Sequence, residues 1–222
     1  LKCFAMGLAL AAFGAAAARA DTIIQTNAEG QRIVIQQNAI VVQQTQYTIT
    51  YKHFDLKQRR VVKVQINQGS LPFQAVTASP AQRQGIVNVW KQFGYSATVV
   101  ADSGKQTHVY DTYFDFFPPS SLGTFLEVVP PRTNLPILID GGGADEIDFS
   151  RISEIDNSDG RLKVILTNGR TLSGKFLMPT SEPAVTHFMG ITNRYSPSSP
   201  KVYDYSVPLH QIKQIRFVNN ND

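Results

Sequence analysis

The chain has 222 residues, 21 Lys and Arg against 17 Asp and Glu, and a single cysteine, Cys3. The formal charge of +4 includes Lys2 and Arg19, and the +2 left without them is too small to argue for nucleic acid or an acidic polymer as a partner. One cysteine excludes a disulfide framework and thiolate zinc sites, so a fold of this size must rest on burial.

The first residues, "LKCFAMGLALAAFGAAAARADTIIQ", carry a basic flank at Lys2, an apolar run over 4–18, and Ala18-Arg19-Ala20 before Asp21. That is the layout of a secretory signal peptide (1–20) cleaved after Ala20, with a run shorter than the roughly 20 residues that span a bilayer; an uncleaved anchor is the alternative. Removing Lys2 and Arg19 leaves 19 basic against 17 acidic residues, a net of +2. The expectation is an extracytoplasmic protein of bacterial type, in the periplasm, on the cell surface or secreted, with no transmembrane segment after cleavage and no cysteine for nucleophilic chemistry.

Strand chemistry follows almost throughout. Residues 31–54, "QRIVIQQNAIVVQQTQYTITYKHF", are rich in Ile, Val, Tyr and Thr, with a weak break at Asn38-Ala39. Tyr47, Ile49 and Tyr51 alternate with Thr48, Thr50 and Lys52, the period of a half-buried strand, and "RVVKVQI" (60–66) repeats it. The spacing then predicts one helix over about 79–93. Ser79 and Gln82 form a capping box, Pro80 takes the first turn, Ile86, Val87, Trp90 and Phe93 share a face, and Gly94 ends the run.

After the helix come strands at 95–102 and 107–117 joined by Ser103-Gly104-Lys105, and a further strand at 124–129. In "THVYDTYFDFF", Val109, Asp111, Tyr113, Asp115 and Phe117 fall on one face. If open, that face sets a tyrosine between carboxylates, a binding surface for a sugar through Asp111, Tyr113 and Asp115; if closed, it is core. Asp111 and Asp115 stand about 13 Å apart along an extended strand, beyond the spacing of a glycosidase pair.

The Pro- and Gly-rich stretch that follows divides the chain into a β-rich unit with the helix (21–135), a Gly/Asp hinge (136–146) and a small C-terminal unit (147–218). In the last, "IDFSRISEI" (147–155) and "VPLHQIKQI" (207–215) echo each other without gaps. Their spacing of three looks helical, but each piece is too short for a normal helix and reads as strand, tight turn, strand. Between them, Asn168-Gly169 marks a hairpin.

In that hairpin Leu162, Val164 and Leu166 alternate, Asn168-Gly169-Arg170 turns, and Leu172, Gly174 and Phe176 follow. It resembles the first motif of Sm-like proteins over about 30 residues, and "HFMGIT" (187–192) loosely echoes the second without its basic residue. The resemblance implies a small SH3-like or Sm-like β-barrel as architecture. RNA binding is not implied for an exported chain of near-neutral mature charge.

Other motifs end quickly. Gly169 and Gly174-Lys175 match a phosphate loop, but Phe176 replaces the Ser or Thr, and strand chemistry continues where a helix is needed. "LIDGGGAD" is similar to the aspartic protease motif, but Gly141 stands where the hydroxyl belongs. The four histidines, His53, His108, His187 and His210, are far apart. Calcium is the one metal the sequence offers. Asp140, Asp145, Glu146 and Asp148 supply hard oxygens at short spacing in a glycine-rich loop, and an acidic turn that binds nothing is the alternative.

The sequence thus describes a mainly β protein with one amphipathic helix and a small barrel, with no catalytic constellation. It points to a non-enzymatic envelope or secreted binding or structural module acting on a protein or envelope polymer. The alternatives are a calcium-dependent adhesion module, or a hydrolase of envelope polymers using Asp140 or Asp111.

Overall fold

The computed structural model describes residues 21–218 apart from 46, 56–59, 68–72, 77, 120–128, 159 and 200. The expected signal peptide lies outside the described residues, as does the strand expected at 124–129 except for Val129, which is buried. Among the described residues no helix is long and apolar enough to cross a membrane.

The chain is mainly β with one α-helix, and its two sheets curl into half-barrels. The smaller sheet holds β1 (Asp21–Thr26), β2 (Arg32–Gln44), β3 (Thr48–Asp55), β4 (Arg60–Asn67) and β5 (Phe73–Val76) in the order β4-β3-β2-β1-β5. Its concave face gathers Ile23, Ala39, Ile49, Tyr51 and Phe73, with Ile66 of one edge strand and Ala75 of the other packed against them, so the sheet curls. No break occurs at Asn38-Ala39. β2 runs through, and the turn comes at Thr45, whose hydroxyl accepts the N–H groups of Tyr47 and Thr48. β3 is also buried on both faces, because Thr50 and Lys52 are as enclosed as Ile49 and Tyr51; the half-buried reading is corrected accordingly.

Helix α1 (Pro80–Phe93) forms as its cap signals require. Ser79 accepts from the Gln82 N–H while the Gln82 side chain accepts from the Ser79 N–H, and Ile86, Val87 and Trp90 are buried. Phe93 is left exposed. Gly94 closes the helix at φ −86°, without the left-handed conformation usual for such a glycine. It is needed for closeness instead: a Cβ there would lie 2.1 Å from Asp111 Oδ1 and 2.5 Å from Asp111 Cα.

The larger sheet holds the remaining ten strands. They are β6 (Ser96–Ala101), β7 (Gln106–Phe117), β8 (Asn134–Ile139), β9 (Ala144–Asp148), β10 (Ile152–Ser158), β11 (Arg161–Leu166), β12 (Thr171–Phe176), β13 (Val185–Thr192), β14 (Tyr205–Pro208) and β15 (Ile212–Val218). Their order is β14-β13-β7-β6-β15-β10-β11-β12-β8-β9. Residues 136–146, read above as a hinge, fall on β8, a turn closed by the Gly142 N–H on the Ile139 carbonyl, and β9. On either side of that segment the chain is joined in one sheet, β6 pairing with β15 and β7 with β13.

The echo at 147–155 and 207–215 takes the form strand, 3-10 turn, strand in both copies, with the turns at Phe149–Arg151 and Leu209–Gln211. β10 and β15 pair antiparallel with Ile155 opposite Ile215, the same position of the echo in each copy. That pair marks a pseudo-twofold axis, and the sheet order reads outward from it strand for strand. β11 matches β6, β12 matches β7, β8 matches β13, and β9 matches β14.

The two leading hairpins agree in detail. Gly104 and Gly169 both have φ +80°, their N–H groups meet the carbonyls of Ala101 and Leu166, and Asp102 and Thr167 donate to Gln211 and Arg151. The chain from β6 to β10 and the chain from β11 to β15 are therefore two versions of one five-strand plan. Each lends its first hairpin to the half-barrel completed by the other. This exchange stitches both halves around one core, where Phe114 of β7 touches Phe149, Phe176 of β12 and Phe188 of β13.

Candidate functional site

A second core forms the seam between the two sheets. Ile40 of β2, Val61 of β4, Ile86, Val87 and Trp90 of α1, Tyr113 of β7, Met189 and Ile191 of β13, and Val202 and Tyr203 of the following loop compose it. Into this apolar seam the fold places charge.

β7 delivers that charge through an irregularity. Asp111 has φ +48°, in the left-handed region that costs about 1–2 kcal/mol for a side-chain-bearing residue and that Asp tolerates better than most. The kink turns the strand over. Val109 before it and Phe114 and Phe116 after it lie in the larger sheet's core, whereas Tyr113 faces the seam. Simple alternation therefore fails across Asp111, and Val109 does not share the face of Tyr113 as the sequence pattern suggests. Gly190 on the partner strand accommodates the kink, since a Cβ there would meet Val109 Cγ1 at 2.2 Å and the Tyr110 carbonyl at 2.8 Å.

Asp111, Tyr113 and Asp115, the binding residues expected on an open face, are all buried. Lys52 of β3 reaches them from across the seam. Its Nζ donates to Asp115 Oδ2 at 2.7 Å and to Tyr113 Oη at 2.5 Å, and lies over the rings of Tyr113 and Tyr203. Lys63 of β4, the register partner of Lys52, approaches Asp115 Oδ1 at 3.5 Å, and that oxygen also accepts the Phe116 N–H. Tyr203 donates to Asp111 Oδ2 at 2.7 Å and stacks on Trp90.

Burial governs the protonation of this cluster. Asp111 is raised to about 7 by loss of solvent, although the Tyr203 hydroxyl and Lys52 pull the other way. Desolvation lowers Lys52 against the upward pull of Asp115, and it raises Tyr113 and Tyr203 well above the usual phenol range.

The cluster opens on one side into a cavity of about 300 Å³, lined by Ile40, Val41, Lys52, Lys63, Asp115, Phe117, Met189, Lys201, Val202, Tyr203 and Ser206. That is at the small end of the range of about 300–1,000 Å³ usual for ligand pockets, and an apolar lining with few convergent polar groups is their usual chemistry. Lys201 and Ser206 are exposed at its rim, and Lys52 and Asp115 lie enclosed at its base. Two larger cavities are less built. One of about 400 Å³ is ringed by Lys105, His108, Arg194 and Asp204; one of about 600 Å³ lies beside Met178, Leu209 and His210.

No family model, curated protein or solved structure matches the chain.

The acidic glycine loop is spread out. Asp140 pairs with Arg161, and Asp145 accepts the Glu146 N–H. Glu146 pairs with Arg132 and accepts from Asn134. Asp148 accepts from Tyr95 and the Ser150 N–H; burial works against its ionised form, but those hydrogen bonds prevail and hold it below the usual carboxylate range. Among the described residues no group of three or more His, Cys, Asp or Glu side chains is placed to hold a metal ion.

Of the polar seam residues, the sequence offered Asp111, Tyr113 and Asp115 as a binding surface but not Lys52, Lys201 or Tyr203, and it read Lys63, with Lys57, Arg59 and Arg60, as a solvated loop and strand edge, whereas Lys63 is turned towards Asp115. A lysine in the alternating register of "YTITYKHF" was the available signal for Lys52: it occupies the face shared by Thr48 and Thr50. Nothing local marks that face as buried.

Proposed function

We propose that the protein is a binding module, not a catalyst, and that its ligand enters the cavity between the two sheets. The observation that carries this reading is the Lys52–Asp115–Tyr113 cluster at the base of a cavity with one apolar wall. Charged groups are costly to enclose, and a cluster of them at the floor of a cavity is a place where a ligand's polar end is recognised. The hydrolase reading is less well supported. Among the described residues each of these three cavities has one carboxylate in its lining, Asp204, Asp102 or Asp115, whereas glycoside hydrolysis needs a pair. Asp111 is held by Tyr203 beneath the cavity wall and does not line it. Action outside the cytoplasm rests on the leader-like residues 1–20.

The test is a thermal-shift screen of the purified protein against small amphipathic ligands, repeated with Val202→Trp, which fills the cavity. Ligands that raise the melting temperature of the parent and not of the filled variant support the reading. Turnover of an ester, peptide or glycoside substrate that one point mutation abolishes would overturn it.

A further inference from the structure

Among the described residues three lysines line the cavity against a single carboxylate. That carboxylate is already committed, with Oδ2 on Lys52, and Oδ1 on the Phe116 N–H and, more distantly, on Lys63. Among the described residues Lys63 has only that 3.5 Å contact with an acid, and Lys201 forms no ion pair. Each ammonium has three donors, so the polar side of the cavity holds unused donors and surplus positive charge. Ile40, Val41, Phe117, Met189 and Val202 supply the apolar wall. Met189 adapts its shape readily to what lies against it.

Resting on the binding reading above, we infer that the ligand is a small amphipathic anion, its head held by Lys63 and Lys201 and its apolar body against Phe117, Met189 and Val202. Charge complementarity is what selects this occupant. A cationic head would face three ammonium groups, and a neutral one would leave the lysines unpaired in a partly desolvated site. Ammonium groups are point-like donors and accept a carboxylate or a phosphate monoester equally, so the two heads are separate arms of the test.

Octanoate, octyl phosphate, octanol and octylamine are titrated into the purified protein by calorimetry. The fluorescence of Trp90, the only tryptophan, is followed in parallel, because it stacks on Tyr203 of the cavity wall. The expected result is binding of an octyl anion, with octanol weaker by at least about fivefold and octylamine weaker still, the size expected of one partly solvated ion pair. Whichever of the two anions binds more tightly names the head. Lys201→Glu, at an exposed position that leaves the fold intact, should weaken the anion by about tenfold or more and bring octylamine level with it or ahead. Octanol or octylamine competing for the site as strongly as the anions would overturn the anionic preference while leaving the binding reading in place. Silence from all four probes at millimolar concentration would overturn both.

Discussion

Lys52 and Lys63 stand directly opposite each other on β3 and β4, and the one carboxylate of Asp115 lies between them. Like charges facing across a strand pair destabilise a sheet. Here the repulsion is held by an acid that comes from the other sheet, so a charge pattern in one sheet is stable only when both are assembled. Removing either end of the Lys52–Asp115 pair leaves an uncompensated buried charge. Lys52→Met and Asp115→Leu should each cost about 3–5 kcal/mol in urea unfolding. The double variant Lys52→Met/Asp115→Leu should recover most of the loss, and additive costs in that cycle would contradict the pairing.

Asp111 gives a pH dependence with a definite sign. Its folded value is about 7 against an ordinary 3.8, so between those values the folded chain keeps a proton that the unfolded chain has released. Stability from this group is complete below about pH 4 and falls as the pH rises towards 7. Asp111→Asn keeps a side chain that tolerates positive φ and removes the titration. The stability difference between variant and parent should grow in favour of the variant by about 3 kcal/mol from pH 4.5 to pH 7.5. Denaturant midpoints across that range check it; a constant difference would mean that Asp111 is ionised throughout.

Gly94 and Gly169 are required for different reasons. At Gly169, φ +80° with open space around it, alanine costs the left-handed penalty alone, about 1–2 kcal/mol. At Gly94 the backbone angle suits any residue, but alanine collides with Asp111 and should cost about 3 kcal/mol, the upper range for overpacking. Chemical denaturation of the two variants orders them, and a milder loss at Gly94 would contradict the close approach of helix end and β7.

Calcium should leave the melting temperature unchanged. Asp140, Glu146 and Asp148 are each tied to a different neighbour, and gathering them would break the Arg161, Arg132 and Tyr95 contacts. Thermal melts with millimolar calcium and with chelator test this. A calcium-dependent rise that Asp145→Asn removes would restore the metal reading of the loop.

Local chemistry made much of the fold legible. The Ser79–Gln82 box, Pro80 and the spacing of Ile86, Val87 and Trp90 specify a helix within one stretch of chain. Asn168-Gly169 specifies its hairpin, and the echo of 147–155 in 207–215 yields the two strand–3-10–strand units. These signals are local because the hydrogen bonds and burial they encode are satisfied by residues close in sequence.

The class of structure and its local pieces are thus written along the chain: a β-rich composition, one capped helix and a repeated strand–turn–strand unit. How they join is set by contacts between distant segments. The echo was visible, but not that its copies would pair at Ile155 and Ile215 and exchange hairpins across a pseudo-twofold axis, because strand partners are chosen by long-range hydrogen bonding and shared burial. The site was decided the same way. Asp111, Tyr113 and Asp115 stood out as polar residues on an aromatic strand, but the bulge at Asp111 turned the strand over, and Lys52, 63 residues before Asp115 in the chain, became the partner. A buried charge finds its counterion wherever the fold sets one within reach, and no periodicity along the chain records that distance.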